Sequence, residues 1–293
     1  MEKNKKRKFA VLILTHGRAE NVVTYRTIRR QGYTGKVYFV IDNLDKQRPI
    51  YEKNFGAENV IVFDKPAAAK KCDTMDNIGE MNIVLFARNS CHEIAKSLGL
   101  THFLVLDDDY TDFSFRYVKD GTLKHDRHCT DFDALCEAFC DCLDETGALT
   151  VAMAQSGDFI SGANNAHYWQ RVLRKAMNSF FCRTDRPFKF LGRINEDVNM
   201  YATLGSQGNL IFTATEASLN QIQTQANKGG LTEAYLDHGT YVKSFYSVIC
   251  MPSAVKISMM GGGGRGHNYY RIHHNVSWNN CVPKIIDEKW KKR

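Results

Sequence analysis

The sequence predicts an α/β fold, a mainly parallel central sheet with helices on both faces. Three observations predict it. Residues 9–14 are an unbroken apolar run, which suits a strand covered on both sides. Strand-like and helix-like periods then alternate through the first hundred residues, the order from which parallel sheets are built. Polar residues follow the ends of those strands, where open α/β sheets bind ligands.

Each element has its own signal. A helix is expected over about residues 19–30, ended by Gly32, with strands at 37–41 and 60–63. Leu85, Cys91, Ile94, Ala95 and Leu98 recur at helical spacing within 81–98, closed by Gly99, and a fourth strand follows at 103–106. Right-handed crossovers bring the strand ends to one edge. That edge receives Thr15-His16-Gly17-Arg18, Asp42-Asn43, Asp64 and Asp107-Asp108-Asp109. Strand-like pieces recur at 151–154, 210–213 and 246–250, so the second half reads as mixed α/β on the same sheet. Residues 1–293 are therefore expected to form a single domain, with halves at about 9–150 and 151–293.

Composition narrows the function. The 293 residues are 43% apolar and 24% charged, ordinary globular usage for one large domain. Lysine and arginine number 39 against 32 acids, and the net +7 favours an anionic partner. No apolar run approaches the ~18 residues of a membrane span. The basic start is followed by only six apolar residues, so it reads as a tail before the first strand, and a cytoplasmic protein is expected. Nine cysteines, an odd number without a C-x-x-C pair, argue against a disulfide framework. Cys136 and Cys140 fall on the apolar face of a helix with Phe132, Leu135, Phe139 and Leu143, where thiols act as small apolar groups. Neither a phosphate-binding G-x-x-x-x-G-K-[ST] loop nor a G-x-G-x-x-G after the first strand is present.

Asp107-Asp108-Asp109 carries the strongest chemical signal. Three adjacent carboxylates at a strand end repel one another by roughly 1–4 kcal/mol per pair. A hard cation, Mg²⁺ or Mn²⁺, relieves that repulsion and takes carboxylate oxygens together with phosphates.

With that triplet, Ala87-Arg88-Asn89 on the preceding helix, Thr15-His16-Gly17-Arg18, Asp42 and Glu196-Asp197, the chain resembles a glycosyltransferase of the GT-A, Rossmann-like type. Residues 192–199, 239–246 and 252–256 resemble more narrowly the TET/JBP-associated glycosyltransferases, largely phage enzymes proposed to glycosylate hydroxymethylated pyrimidines in DNA. The resemblance implies a nucleotide-sugar donor, most readily a UDP-sugar, bound by the first half, with the acceptor bound by the second. It implies metal ligation by Asp107 and Asp109 and a base at Asp197 supported by Glu196. Donor contacts would come from Thr15, His16, Arg18, Asp42, Arg88, Asp107 and Asp108. It also implies that one late histidine completes the metal site. Of His267, His273 and His274 the preference is His273, since strand alternation should let at most one of the adjacent pair point inward.

Other residues fit around that scheme. Asn195 is a natural N-cap for a helix opening with Glu196 and Asp197, whose charges suit its first turn. The glycines at 261–264 and 266 suit a mobile loop, with Arg265 reaching a phosphate. Arg171, Arg174 and Lys175 share a basic helical face able to meet DNA phosphates, near a segment at 157–162 placed to line the acceptor pocket. Two rival classes remain: a glycosyltransferase or nucleotidylyltransferase with another acceptor, and a DNA-binding module without catalysis. A nucleotidylyltransferase usually opens with a glycine-rich, arginine-containing loop followed by Pro-Lys, which is missing here, and a DNA-binding module leaves the aspartates without a purpose.

Overall fold

The computed structural model describes residues 7–155, 176–222, 242–264 and 267–282. Strands β1 (Phe9–Leu14), β2 (Lys36–Asp42), β3 (Val60–Phe63) and β4 (His102–Asp107) lie in the order β3-β2-β1-β4, all parallel. Their apolar residues alternate between two cores. Val11, Ile13, Phe39, Ile41, Leu104 and Leu106 enter one, and Leu12, Leu14, Val40, Phe103 and Val105 the other. A strand buried on both faces has no polar side to show, which is why β1 reads as a continuous run.

Helices α1 (Val23–Arg30), α2 (Arg48–Phe55) and α5 (Phe132–Thr146) send Ile28, Tyr51, Phe132 and Leu135 into the first core. Helices α4 (Leu85–Ser97) and α6 (Glu196–Ser206) send Phe86, Ile94, Val198 and Met200 into the second. Full burial of one such side chain stabilises the fold by roughly 1.5–3 kcal/mol. Cys136 and Cys140 are buried on α5, and burial pushes the Cys140 thiol up to about 12, so they pack as the apolar groups expected. The short α3 (Lys65–Ala69) is capped by Asp64, which accepts from the Ala67 N–H at 2.9 Å. Asp64 at its strand end is thus a cap.

Beyond β4 the sheet becomes mixed. Strands β5 (Tyr110–Lys119), β6 (Thr122–His128), β7 (Thr150–Ala154), β8 (Ser179–Arg183) and β9 (Ile211–Gln221) extend it in the order β4-β8-β7-β9-β5-β6. Only the β7–β9 pair is parallel there. The early hairpin β5–β6 therefore lies outside strands that come much later in the chain. A separate antiparallel hairpin, β10 (Val255–Gly264) with β11 (His267–Val276), packs beside α7 (Val242–Cys250).

Two local expectations are corrected. Residues 246–250 were expected in a strand but lie in α7, which buries Ser244, Tyr246 and Ser247. Aromatic and β-branched residues imitate a strand there, while the small hydroxyls at i, i+3 let the helix pack closely. Asn195 precedes α6 but does not cap it. Its φ is +56° and its side chain donates instead to the Lys243 carbonyl at 2.9 Å and Ser247 Oγ at 3.1 Å.

Gly32 ends the loop after α1 at φ +91°, and a Cβ there would sit 2.5 Å from the Thr130 carbonyl oxygen. Gly32→Ala should cost at least about 2 kcal/mol in urea unfolding, combining left-handed strain with a backbone clash. A loss below 0.5 kcal/mol, on the order of an ordinary surface change, would contradict this packing.

Candidate active site

The strand order reverses between β1 and β4, and the chain leaving each strand meets the other there. This is the switch point at which open α/β sheets form a crevice. Thr15 Oγ1 donates to Asp108 Oδ2 at 2.7 Å, and Arg18 Nη1 to Asp108 Oδ1 at 2.7 Å. Thr24 Oγ1 donates to the Asp107 carbonyl at 2.6 Å and accepts from the Tyr110 N–H at 2.8 Å. Tyr51 adds its hydroxyl to both the Thr15 side chain and the Arg18 N–H, each at 2.9 Å. The loop Thr15–Arg18 is thereby sewn to the aspartate triplet.

The three aspartates have different surroundings. Asp108 is buried and satisfied by Thr15 and Arg18; burial raises its carboxyl, and those two partners oppose the shift. Asp107 accepts from Arg88 Nη2 at 3.2 and 3.0 Å and from the Tyr110 hydroxyl at 3.2 Å. Among the described residues no lysine or arginine forms an ion pair with Asp109. Burial, and then the charges of Asp107 and Asp108, push its carboxyl up to about 7. Arg18 opposes this shift without closing to an ion pair.

Asp42 ends β2 in a second cluster. Its Oδ2 accepts from His16 Nδ1 at 2.7 Å and pairs with Lys65 Nζ at 3.0 Å, while Oδ1 accepts from the Leu44 N–H at 3.0 Å. Burial alone would raise this carboxyl, but the hydrogen bonds from His16 and Lys65 hold it down at about 2. The His16 imidazole is raised in return, chiefly by the bond to Asp42. Asp45 completes the cluster by accepting from the Gly17 N–H at 2.8 Å.

Arg88 was expected among the donor contacts, at the donor's phosphate or in the pocket wall. It is 4% exposed, with Nη2 on Asp107 and Nη1 on Glu196, so its guanidinium faces protein carboxylates. Glu196 and Asp197 open α6, both buried, and burial lifts the Glu196 carboxyl to about 7 against the pull of Arg88. Asp197 Oδ1 accepts from the Val198 N–H at 2.7 Å. One guanidinium thus joins the aspartate triplet to the acidic pair.

The family model of the TET-associated glycosyltransferases matches residues 9–230, which hold every element of this site. The chain belongs to that family. No curated protein matches it significantly in sequence. Among solved structures it is similar to a mycobacterial protein at 10% identity, over 92% of this chain and 84% of that one, with a TM-score of 0.49. Glucosyl-3-phosphoglycerate synthase from Mycobacterium tuberculosis, in complex with Mn²⁺, uridine diphosphate and glucosyl-3-phosphoglycerate, gives 11% identity, 92% and 88% coverage and a TM-score of 0.42. S. aureus TarS with UDP-GlcNAc gives 12%, 84% and 67%, and 0.45.

In this glycosyltransferase the late histidines depart from expectation. His273 and His274 were expected on opposite faces of a strand, yet their ring centroids are 4.3 Å apart. His274 is buried with Nδ1 3.3 Å from Asn195 Nδ2, and His273, the preferred metal ligand, is half-buried beside it. Among the described residues no three His, Cys, Asp or Glu side chains gather as a metal cage. Arg171, Arg174, Lys175, Arg265 and the segment 157–162 lie outside the described residues. No helix of the described residues is long and apolar enough to cross a membrane. Lys65, Tyr51 and Tyr110 were not anticipated as site residues. Lys65 had one available signal, its place one residue after the third strand's Asp64.

The Asp42 cluster makes a signed prediction. Its carboxyl is depressed from 3.8 to about 2, so its contribution is present above pH 3.8 and lost as pH falls towards 2. Asp42→Asn also strands the buried Lys65 ammonium. It should lower stability at pH 7 by about 3 kcal/mol and flatten the dependence between pH 4 and 2. Parallel stability curves for variant and wild type in that window would refute the pairing.

Proposed function

We propose that this glycosyltransferase uses Mn²⁺ or Mg²⁺ to move a sugar from a nucleotide donor, a UDP-sugar, to a hydroxymethylated pyrimidine in DNA. The observation that carries the reading is the carboxylate of Asp109 at the switch point, in no ion pair among the described residues, beside an Asp107 already steadied by Arg88. Asp109 and Asp107 offer hard oxygen donors, too few to hold a cation alone, which suits Mg²⁺ or Mn²⁺ shared with a ligand's phosphates. Their chemistry fits the metal. When bound, it neutralises charge on the departing diphosphate.

The remaining roles belong to the chain. Asp42 and Asp108 hold His16 and Arg18 in place, so these two side chains meet the donor nucleoside while the aspartates brace them. Asp197 takes the proton of the acceptor hydroxyl, with Glu196 fixing the turn on which it stands. Arg265 closes on the donor's diphosphate, and one late histidine, by preference His273, completes the metal site. The family and the net charge of +7 support the DNA acceptor, with Arg171, Arg174 and Lys175 as phosphate contacts. A target base would be extruded from its stack for the transfer. The donor-binding sheet and the soluble-type chain are consistent with action in the cytoplasm, in an infected host if the gene is a phage's.

Two experiments test this. Asp109→Asn should reduce turnover by ~100-fold or more in buffer with Mn²⁺ restored after chelation, a loss on the order of other removed transition-state contacts. Unchanged turnover would remove the metal scheme. Duplexes carrying cytosine, 5-hydroxymethylcytosine or 5-hydroxymethyluracil, offered with a donor panel, should gain the mass of a sugar only when hydroxymethylated. The rate should fall steeply with salt as counterion release weakens. If a protein or glycan accepts sugar and no duplex does, the DNA acceptor is wrong.

A further inference from the structure

Arg88 lies where three distant parts of the chain converge. It stands on α4, and its two terminal nitrogens go to Asp107 at the end of β4 and Glu196 at the start of α6. The carbon of its guanidinium lies 5.4 Å from the centre of the Phe180 ring and 5.7 Å from that of Phe190. The side chain is therefore held in an apolar slot, with its fork as the polar exit. On its own helix, the buried residues Phe86 and Cys91 pack into the core and fix the height from which it reaches.

Of its two partners, Glu196 is buried and Asp107 partly exposed. Buried carboxylates near each other repel, and a planar guanidinium answers both by offering separate N–H directions to each. Lysine carries the same charge but presents one point, unable to serve two carboxylates in fixed directions. Such a buried ion group adds little net stability over an apolar replacement. It does fix which element stands where.

We propose that Arg88 is a positioning residue, setting the spacing between the donor-side aspartates on β4 and the acidic pair that opens α6. The proposal rests on reading Asp107 as a donor-side group and Asp197 as the base. Asp197 follows Glu196 in the same first turn, so slack at Glu196 moves the base relative to the donor. A displacement of about 1 Å between reacting groups costs on the order of 100-fold in rate. His16 and Arg18, read as the contacts to the donor nucleoside, are held by Asp42 and Asp108 and not by Arg88, so that slack leaves them in place.

The test uses donor hydrolysis, with water as acceptor and release of nucleoside diphosphate as the readout, in the full-length protein with Mn²⁺. Arg88→Lys should lower kcat by about 100-fold while KM for the nucleotide sugar stays within about threefold, as expected of a misplaced base. Glu196→Gln should lower kcat similarly, and adding Arg88→Lys to it should cost only a few-fold more, because the same link is already cut. A KM raised tenfold or more at unchanged kcat would make Arg88 a donor ligand and overturn the proposal. So would unaltered kcat, or fully multiplicative effects of the two substitutions. If Arg88→Lys does not fold, Glu196→Gln alone carries the test, and an unaltered kcat there overturns the proposal equally. A wild type that hydrolyses donor but leaves every duplex unmodified removes the DNA acceptor alone.

Discussion

Buried negative charge governs the edge of this sheet. A carboxylate taken from water costs several kcal/mol unless a cation and hydrogen bonds meet it. The fold answers four of them individually. Asp42 has Lys65 and His16, Asp108 has Arg18 and Thr15, and Asp107 and Glu196 share Arg88. Those cations come from three elements, so satisfying the charges also fixes the first loop, α3 and α4 against the strand ends. Among the described residues Asp109 forms no ion pair and is outside this arrangement.

The same pairing separates bracing groups from contacting ones. Protein donors already make two bonds to Asp108 and three to Asp42, which holds both carboxylates in place. The groups they hold, His16 with its half-exposed ring and Arg18, stand nearer to solvent. A strand edge built this way is rigid where it is acidic and adaptable where it is basic.

Much of this was legible in the sequence where periodicity and burial agree. Strands β1 and β3 lie where their apolar runs indicated, since a doubly buried strand needs every residue apolar. The triplet at 107–109 and the pair at 196–197 were visible as carboxylates crowded beyond what packing requires. What could not be read was pairing across long separations. That Arg88 turns to Glu196 rather than outward depends on where α6 lands, 108 residues later. Nothing in the sequence joined Lys65 to Asp42, which the end of β2 places 3.0 Å from its ammonium. The helix at 242–250 was misread because its aromatic and β-branched residues favour strands locally, and only α6 and the β10–β11 hairpin supply the face it buries. The adjacent rings of His273 and His274 likewise break the alternation that a regular strand would impose.

The interleaving of the sheet constrains how the chain is made. Strands β5 and β6 leave the ribosome before β7, β8 and β9, yet their seat is the outer edge of β9. A nascent chain ending near residue 150 holds the parallel core β3-β2-β1-β4 with β4's outer edge uncovered and a hairpin that has no neighbour. Assembly of the sheet must wait for residues 179–221, roughly 2–9 s of synthesis at typical elongation rates of ~5–20 residues per second. Exposed strand edges of that kind invite pairing with other chains. The charged side chains on β6, Lys124, Asp126 and Arg127, suit the interval as well as the finished protein, because they keep that edge from joining a second molecule while it waits.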